Sequence, residues 1–130
     1  MVGLVLVSHS SKIAEGLKDL TAEIAPDHKG IISAGGMEDG SIGTDAIRIS
    51  EAIRQADDGD GVVVLADLGS GVMSSETAIE LLEDENIKVK LADAPIVEGT
   101  IAAAVSAMVG SDLEAVQKAA EDCRGVKKIP

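Results

Sequence analysis

The fold is decided by VGLVLVSHSS, the stretch at residues 2–11. An unbroken apolar run of this kind is typical of a strand that is buried on both faces of a parallel sheet. A helical pattern begins directly after it, which predicts the strand-to-helix turn of an α/β fold. Open α/β sheets bind ligands at the carboxyl ends of their central strands, and His9 lies there. We therefore expect chemistry at His9, although a strand-end histidine can also serve only as a hydrogen-bonding partner of a neighbouring loop.

The same design recurs at residues 62–71, which read VVVLADLGSG. An apolar strand again ends in one ionisable residue, Asp67, followed by small residues. Two further strands are predicted at residues 30–35 and 87–92, the latter with the alternation of an edge strand. Helices follow each strand, and a last helix is predicted at residues 111–123. This order predicts an α/β fold: a doubly wound, four-stranded parallel sheet of order 2-1-3-4 with helices on both faces, in a single domain over residues 1–130.

Capping residues and apolar spacing give the expected details of the helices. Thr44 is expected to cap the second helix, and Ser74 or Ser75 the third. The apolar positions at helical spacing predict the buried face of the first helix: Ile13, Leu17, Leu20 and Ile24. His28 is expected to be exposed in a polar turn. The glycine-rich loop at residues 36–43 is either an active-site rim or a simple connection.

The composition limits the classes of partner. The 130 residues include no Phe, Tyr or Trp, so the core must be aliphatic and no aromatic platform exists for stacking nucleobases. A net charge of −12 disfavours nucleic acid, because neutralising phosphates needs Lys and Arg. The same charge favours encounter with a basic protein surface, although it is also common in acidic soluble proteins.

The sequence predicts a cytoplasmic protein. Cys123 is the one cysteine and cannot form an internal disulfide, which fits a reducing compartment. The opening apolar run is too short for a signal peptide, and no stretch approaches the ~20 apolar residues of a membrane span. No metal site is evident: two histidines and one cysteine suggest no closed set of ligands, and residues 57–61 are too short for a calcium loop. The loop at residues 36–43 lacks the ending of a P-loop.

The predicted strand order brings His9 and Asp67 to neighbouring strand ends. A carboxylate bonded to one ring nitrogen fixes the imidazole tautomer and leaves the other nitrogen as a nucleophile. Small residues after both strands could donate hydrogen bonds to phosphoryl oxygens: Ser10, Ser11, Gly69, Ser70 and Gly71. Asp67 alone could be a turn or cap residue, but the pair favours phosphoryl transfer through His9. A response-regulator receiver is disfavoured, because the first strand here ends in Ser-His-Ser and not in an acidic pair.

Four motifs, in order, carry a resemblance to a known family: VLVSHS at residues 5–10, GTDA at 43–46, ADLGS at 66–70 and PIVEG at 95–99. Together they resemble the phosphotransferase subunits of dihydroxyacetone kinase, the DhaM subunits. Those subunits are similar to the mannose-class enzymes IIA of the phosphoenolpyruvate-dependent phosphotransferase system (PTS). The resemblance covers essentially the whole chain.

The resemblance implies a role for each matching residue. His9 would accept phosphate from the phosphohistidine of the carrier HPr, and Asp67 would orient it. The phosphate would pass to ADP held on the nucleotide-binding subunit of the kinase, so this chain would carry no cofactor of its own. Family members are usually homodimers. Some also carry HPr-like and enzyme-I-like domains, and we expect neither within these 130 residues.

Two alternatives stay open. Sugar-permease enzymes IIA carry a Gly-Gly-Ser-Pro type segment after the aspartate, whereas residues 68–72 read LGSGV, closer to the dihydroxyacetone branch. A mannose-class permease component therefore remains the first alternative. The second is a non-catalytic, flavodoxin-like interaction module in which His9 is unreactive.

Overall fold

A computed structural model describes residues 1–130, and its sheet has the order β2-β1-β3-β4 with every pairing parallel. Both the strand order and the α/β class predicted from the sequence are confirmed. The elements are β1 Gly3–Ser8, α1 Ser11–Ile24, β2 Ile31–Gly35, α2 Ala46–Ala56, β3 Val62–Ala66, α3 Gly69–Leu81, β4 Val89–Leu91, α4 Ile96–Met108 and α5 Leu113–Glu121.

The two central strands, β1 and β3, are buried along their whole length. Their side chains alternate between two apolar clusters, one on each face of the sheet. Leu4 and Leu6 pack with α1, α4 and α5, whereas Val5 and Val7 pack with α2 and α3. Each such side chain contributes roughly 1.5–3 kcal/mol by leaving water, and this burial explains the unbroken apolar runs. The edge strand β4 is shorter than predicted, and its Lys90 faces solvent.

Helix α1 buries a different face from the one that the apolar spacing predicts. Of the four predicted residues only Leu17 is buried, beside Ala14 and Thr21. The larger residues of the predicted stripe are exposed: Ile13, Leu20 and Ile24. The reason is close packing on β2, where a side chain at Gly35 would lie 2.7 Å from the Ala14 Cβ. The α1 position that faces Gly35 must therefore be small, and this turns the face of Ala14, Leu17 and Thr21 toward the sheet.

Two of the predicted helix caps are wrong, and the correction matters for the site. Asp45 caps α2 by accepting the Ile47 N–H at 2.9 Å, while the Thr44 hydroxyl bonds the Ser74 hydroxyl at 2.7 Å. Helix α3 begins at Gly69, so Ser74 and Ser75 lie inside it and cap nothing. The sequence suggested a loop there because two of the first three helical residues are glycines.

None of the helices combines the length and the apolar character that a membrane crossing requires.

Candidate functional site

Two neighbouring strand ends form the site. Val7 of β1 pairs with Ala66 of β3, so the chain leaves the sheet at Ser8 and Asp67 side by side. His9 follows at once, and its Nδ1 lies 2.9 Å from Asp67 Oδ1. The two side chains are 21% and 14% exposed, so the pair is partly shielded but open to a partner.

The Asp67 carboxylate accepts four hydrogen bonds. Its Oδ1 accepts from His9 Nδ1 at 2.9 Å and from the Leu68 N–H at 2.8 Å. Its Oδ2 accepts from the Ser8 hydroxyl at 2.9 Å and from the His9 N–H at 3.0 Å. Burial acts to raise the pKa of Asp67, but these bonds outweigh it and hold the pKa below its ordinary value of 3.8. Asp67 is therefore ionised at neutral pH and fixed in orientation.

The ionised carboxylate determines the tautomer of His9. An ionised carboxylate can only accept, so the ring nitrogen facing it must carry the proton. The Nδ1–H group thus donates to Asp67, and in the neutral imidazole Nε2 presents a lone pair. That lone pair faces Ser70, whose hydroxyl donates to Nε2. The arrangement produces an imidazole with its nucleophilic nitrogen turned outward.

The first turn of α3 lies against the His9–Asp67 pair. The first helical hydrogen bond of α3 runs from the Val72 N–H to the Leu68 carbonyl. The N–H groups of residues 69–71 therefore have no acceptor within the helix. Free N–H groups at a helix start favour an anion. A side chain at Gly71 would lie 3.1 Å from Asp67 Oδ1 and 3.6 Å from His9 Cε1, so this position is in close contact with both.

The other predicted phosphoryl ligands lie at the start of α1. The Ser10 hydroxyl caps that helix by accepting the Ile13 N–H at 3.3 Å, so it is already engaged. Ser11 is the first helical residue, two positions after His9, and is half-buried. Of the five predicted ligands, Ser70 is therefore the one whose side chain contacts His9, with Gly69 and Gly71 in the same helical turn.

The glycine-rich loop after β2 holds the backbone around His9. The Gly36 N–H donates to the Ser8 carbonyl at 3.0 Å, and the Gly43 N–H donates to the His9 carbonyl at 2.9 Å. Both ends of the loop thus contact the site, which favours the rim interpretation over the simple connection. The residues between these two anchors, 38–42, are exposed.

Ser8 is the one site residue that the sequence analysis missed. It is fully buried, and its hydroxyl bonds Asp67 while accepting the Ser10 N–H at 3.1 Å. The available signal was its place as the polar end of a buried strand, directly opposite Asp67 once β1 and β3 are aligned.

His28 is half-buried, so the expectation that it is exposed is wrong. Its Nε2 donates to the Val2 carbonyl at 2.8 Å, and its Nδ1 accepts the Gly30 N–H at 3.0 Å. These bonds tie the segment before β2 to the start of β1, at the end of the sheet opposite His9. The observed contacts of His28 are therefore structural.

Comparisons with known proteins indicate the family and support the fold. The family model for EIIA-man, the PTS system fructose IIA component, matches residues 3–117. A crystal structure of a protein of unknown function, EF1359, has a TM-score of 0.83 and 36% identity, with 100% of both chains covered. The PTS component EIIA from Streptococcus agalactiae has a TM-score of 0.71 at 16% identity, covering 98% of this chain and 96% of that one, and supports the fold alone.

Curated relatives are similar to the chain over most of its length. A phosphoryl donor subunit DhaM of a phosphoenolpyruvate-dependent dihydroxyacetone kinase from Listeria innocua is 43% identical, covering 89% of this chain and 94% of the relative. The DhaM of Escherichia coli is 48% identical over 89% of this chain, but the match spans only 25% of that longer protein. The chain belongs to the mannose-class enzyme IIA family of the PTS, and within it to the DhaM group of dihydroxyacetone kinase subunits.

Proposed function

We propose that the chain is a phosphohistidine carrier. It takes phosphate from phospho-HPr onto His9 and passes it to ADP bound on the nucleotide-binding subunit of dihydroxyacetone kinase. One observation carries the proposal: Asp67 holds the Nδ1–H of His9, which leaves Nε2 unprotonated beside the first turn of α3. The names of the relatives support the choice of kinase.

The first half-reaction forms a bond at Nε2 of His9. Its lone pair attacks the phosphorus of the donor phosphohistidine, the donor P–N bond breaks, and that electron pair returns to the donor nitrogen. The positive charge that develops on the His9 ring is stabilised by the Asp67 carboxylate. Ser70 and the N–H groups of Gly69 and Gly71 stabilise the charge on the transferring phosphoryl oxygens.

The second half-reaction reverses this chemistry with a different nucleophile. An oxygen of the ADP β-phosphate attacks the phosphorus, the bond to Nε2 breaks, and its electron pair remains on Nε2. The products are ATP and His9 with its original Nδ1–H bond to Asp67. No net proton transfer to His9 is needed, so one tautomer serves both steps.

An exposed apolar surface around the site supports protein partners. We call it the apolar rim, and it consists of Ile42, Ile47, Leu68, Val72 and Met73, which are 37–74% exposed. The elements that carry the rim also carry carboxylates: Glu38, Asp39, Asp45 and Glu76. Exposed apolar groups bordered by carboxylates fit a partner with an apolar centre and a basic periphery. Both HPr and the kinase subunit would dock here, in turn.

We also propose a homodimer, as in the family that the sequence resembles. The exposed residues Ile13, Leu20 and Ile24 share one face of α1, and α4 adds the exposed Val105 and Met108. Burying this apolar surface against a second copy would stabilise a dimer. Sedimentation velocity would then give about twice the mass of 13.2 kDa, whereas a single-chain mass would refute the dimer.

A mannose-class sugar permease component is the second candidate, and the family model named for a fructose IIA component favours it. The two candidates share the His9 chemistry and differ only in the acceptor. They are separated by offering the phosphorylated chain either the ADP-loaded kinase subunit or a sugar permease.

The decisive experiment is intact-mass spectrometry after incubation with phosphoenolpyruvate, enzyme I and HPr. We expect one acid-labile phosphate on the wild type and none on His9→Ala, which should stay folded because only the ring is lost. ATP formed with the ADP-loaded kinase subunit would identify the acceptor. Phosphate on the His9→Ala variant would overturn the role of His9. A wild type that stays unphosphorylated would refute the carrier and favour the non-catalytic interaction module instead.

A further inference from the structure

The hydroxyl of Ser8 lies at the centre of the hydrogen bonds around Asp67. Its side chain is fully buried, unlike those of His9 and Asp67. The hydroxyl donates to Asp67 Oδ2 at 2.9 Å and accepts the Ser10 N–H at 3.1 Å. One hydroxyl thus connects the end of β1, the turn after β3 and the cap of α1.

The contact is made to the carboxylate oxygen that does not touch the imidazole ring. Oδ1 accepts the His9 Nδ1–H, while Oδ2 is held by Ser8 and by the His9 N–H. Without the hydroxyl, Oδ2 would keep one donor, and the carboxylate would be freer to turn about its Cβ–Cγ bond. Any such turn moves Oδ1 relative to Nδ1, and hydrogen bonds weaken steeply as their alignment is lost.

The Ser10 N–H orients the Ser8 hydroxyl toward Asp67. A hydroxyl has one proton to donate, and the Ser10 N–H occupies one of its acceptor lone pairs. With that N–H on one side, the hydroxyl proton is directed to Asp67 on the other. The buried setting also excludes water from replacing the missing donor in an alanine variant.

We infer that Ser8 is a positioning residue for phosphoryl transfer: its hydroxyl fixes the Asp67 carboxylate, which in turn holds the Nδ1–H tautomer of His9. The inference rests on the proposed function for its consequence in transfer. The contact itself can be tested in the unphosphorylated chain without any partner.

The test compares Ser8→Ala with Ser8→Thr, which keeps the hydroxyl, and with Ser50→Ala as a matched control. Ser50 is also buried, and its hydroxyl bonds only the Ile47 carbonyl in α2. The rate of His9 phosphorylation is measured with phosphoramidate, a small donor that transfers its phosphoryl group and releases ammonia, so that docking plays no part. Carbon and nitrogen NMR then follow the titration of Asp67 and the tautomer of His9.

We expect Ser8→Ala to slow phosphorylation about tenfold, the effect of losing one hydrogen bond to a charged group. The pKa of Asp67 should rise towards its ordinary value, and the Nδ1–H tautomer should become less dominant. Ser8→Thr should recover the rate and the Asp67 titration, and Ser50→Ala should match the wild type in all three. These readouts separate positioning from a purely structural role, which would change stability alone.

The inference is overturned if Ser8→Ala phosphorylates at the wild-type rate, or if its rate falls while the Asp67 titration and the His9 tautomer stay unchanged. An equal fall in Ser50→Ala would also overturn it. A wild type that phosphoramidate labels but phospho-HPr does not would instead refute the proposed function and leave the role of Ser8 intact.

Discussion

At the residue scale, the candidate site is built on one carboxylate, Asp67, that accepts from four donors. Asp67 is ionised because its hydrogen bonds outweigh the cost of its partial burial, and its ionisation fixes the proton of His9 on Nδ1. The presence of an Asp after β3 is visible in the sequence. The number and direction of its donors are not, because three of the four come from β1 and the residue after it, 58–59 positions away.

Asp67 should make stability depend on pH with a predictable sign. Its pKa is lowered on folding, so its contribution is complete above the ordinary value of 3.8 and is lost as pH falls through the lower folded value. At neutral pH we expect Asp67→Asn to cost about 1–3 kcal/mol, because the amide NH₂ faces donors. Urea unfolding should show the gap between variant and wild type closing in strong acid. A gap that persists unchanged into strong acid would contradict the ionised Asp67.

At the element scale, the start of α3 distinguishes this site from a simple strand-end loop. The helix begins two residues after Asp67, which brings its first N–H groups and Ser70 to the ring of His9. Serine caps suggested a later start, because Gly69 and Gly71 are poor helix formers by propensity. The helix nevertheless begins at Gly69, and a glycine is needed at position 71 because a Cβ there would lie 3.1 Å from Asp67 Oδ1.

Two glycines of the same turn form a matched pair for mutation. A Cβ at Gly71 would lie 3.1 Å from Asp67 Oδ1, whereas one at Gly69 would meet nothing within 4 Å. We expect Gly71→Ala to shift the carboxylate by a few tenths of an ångström and to slow phosphoryl transfer about tenfold. Gly69→Ala retains the backbone N–H, so its rate should fall far less than that of Gly71→Ala, and its melting temperature should rise slightly, as alanine favours a helix. Equal rates in the two variants would refute the close contact at Gly71.

At the scale of the whole molecule, the acidic chain places the partly exposed His9 near the exposed residues of the apolar rim. The carboxylates near the apolar rim add to a net charge of −12. Such a surface favours rapid encounter with a basic protein and contact through a few apolar side chains. Composition alone indicated the charge, and the tertiary structure brought the rim residues from three separate segments to one end of the sheet.

Met73 offers a test of docking that leaves the chemistry untouched. It is 68% exposed on α3, one turn beyond Ser70. We expect Met73→Lys to raise KM for phospho-HPr about tenfold with kcat unchanged, because it removes apolar contact and repels a basic partner. Val109→Lys, at a position 78% exposed beyond the far end of α4, is the matched control and should behave as the wild type.

Steady-state kinetics at two salt concentrations complete this test. For the wild type, KM should rise with salt, since screening weakens attraction between surface charges. A Met73→Lys variant with the wild-type KM, or a wild-type KM that does not change with salt, would contradict the apolar rim as the docking surface.

The sequence by itself determined the α/β class, the strand order and the two strand ends that meet, because unbroken apolar runs mark buried parallel strands and the ionisable residue after each run marks its carboxyl end. The tertiary structure alone decided the face that α1 buries, the start of α3 and the contact of Ser8 with Asp67. Those features depend on contacts between residues far apart in the chain, such as Ala14 against β2 and Ser8 against Asp67. Local spacing and propensity carry no information about how closely two segments approach, and that separation decides which small and polar side chains meet.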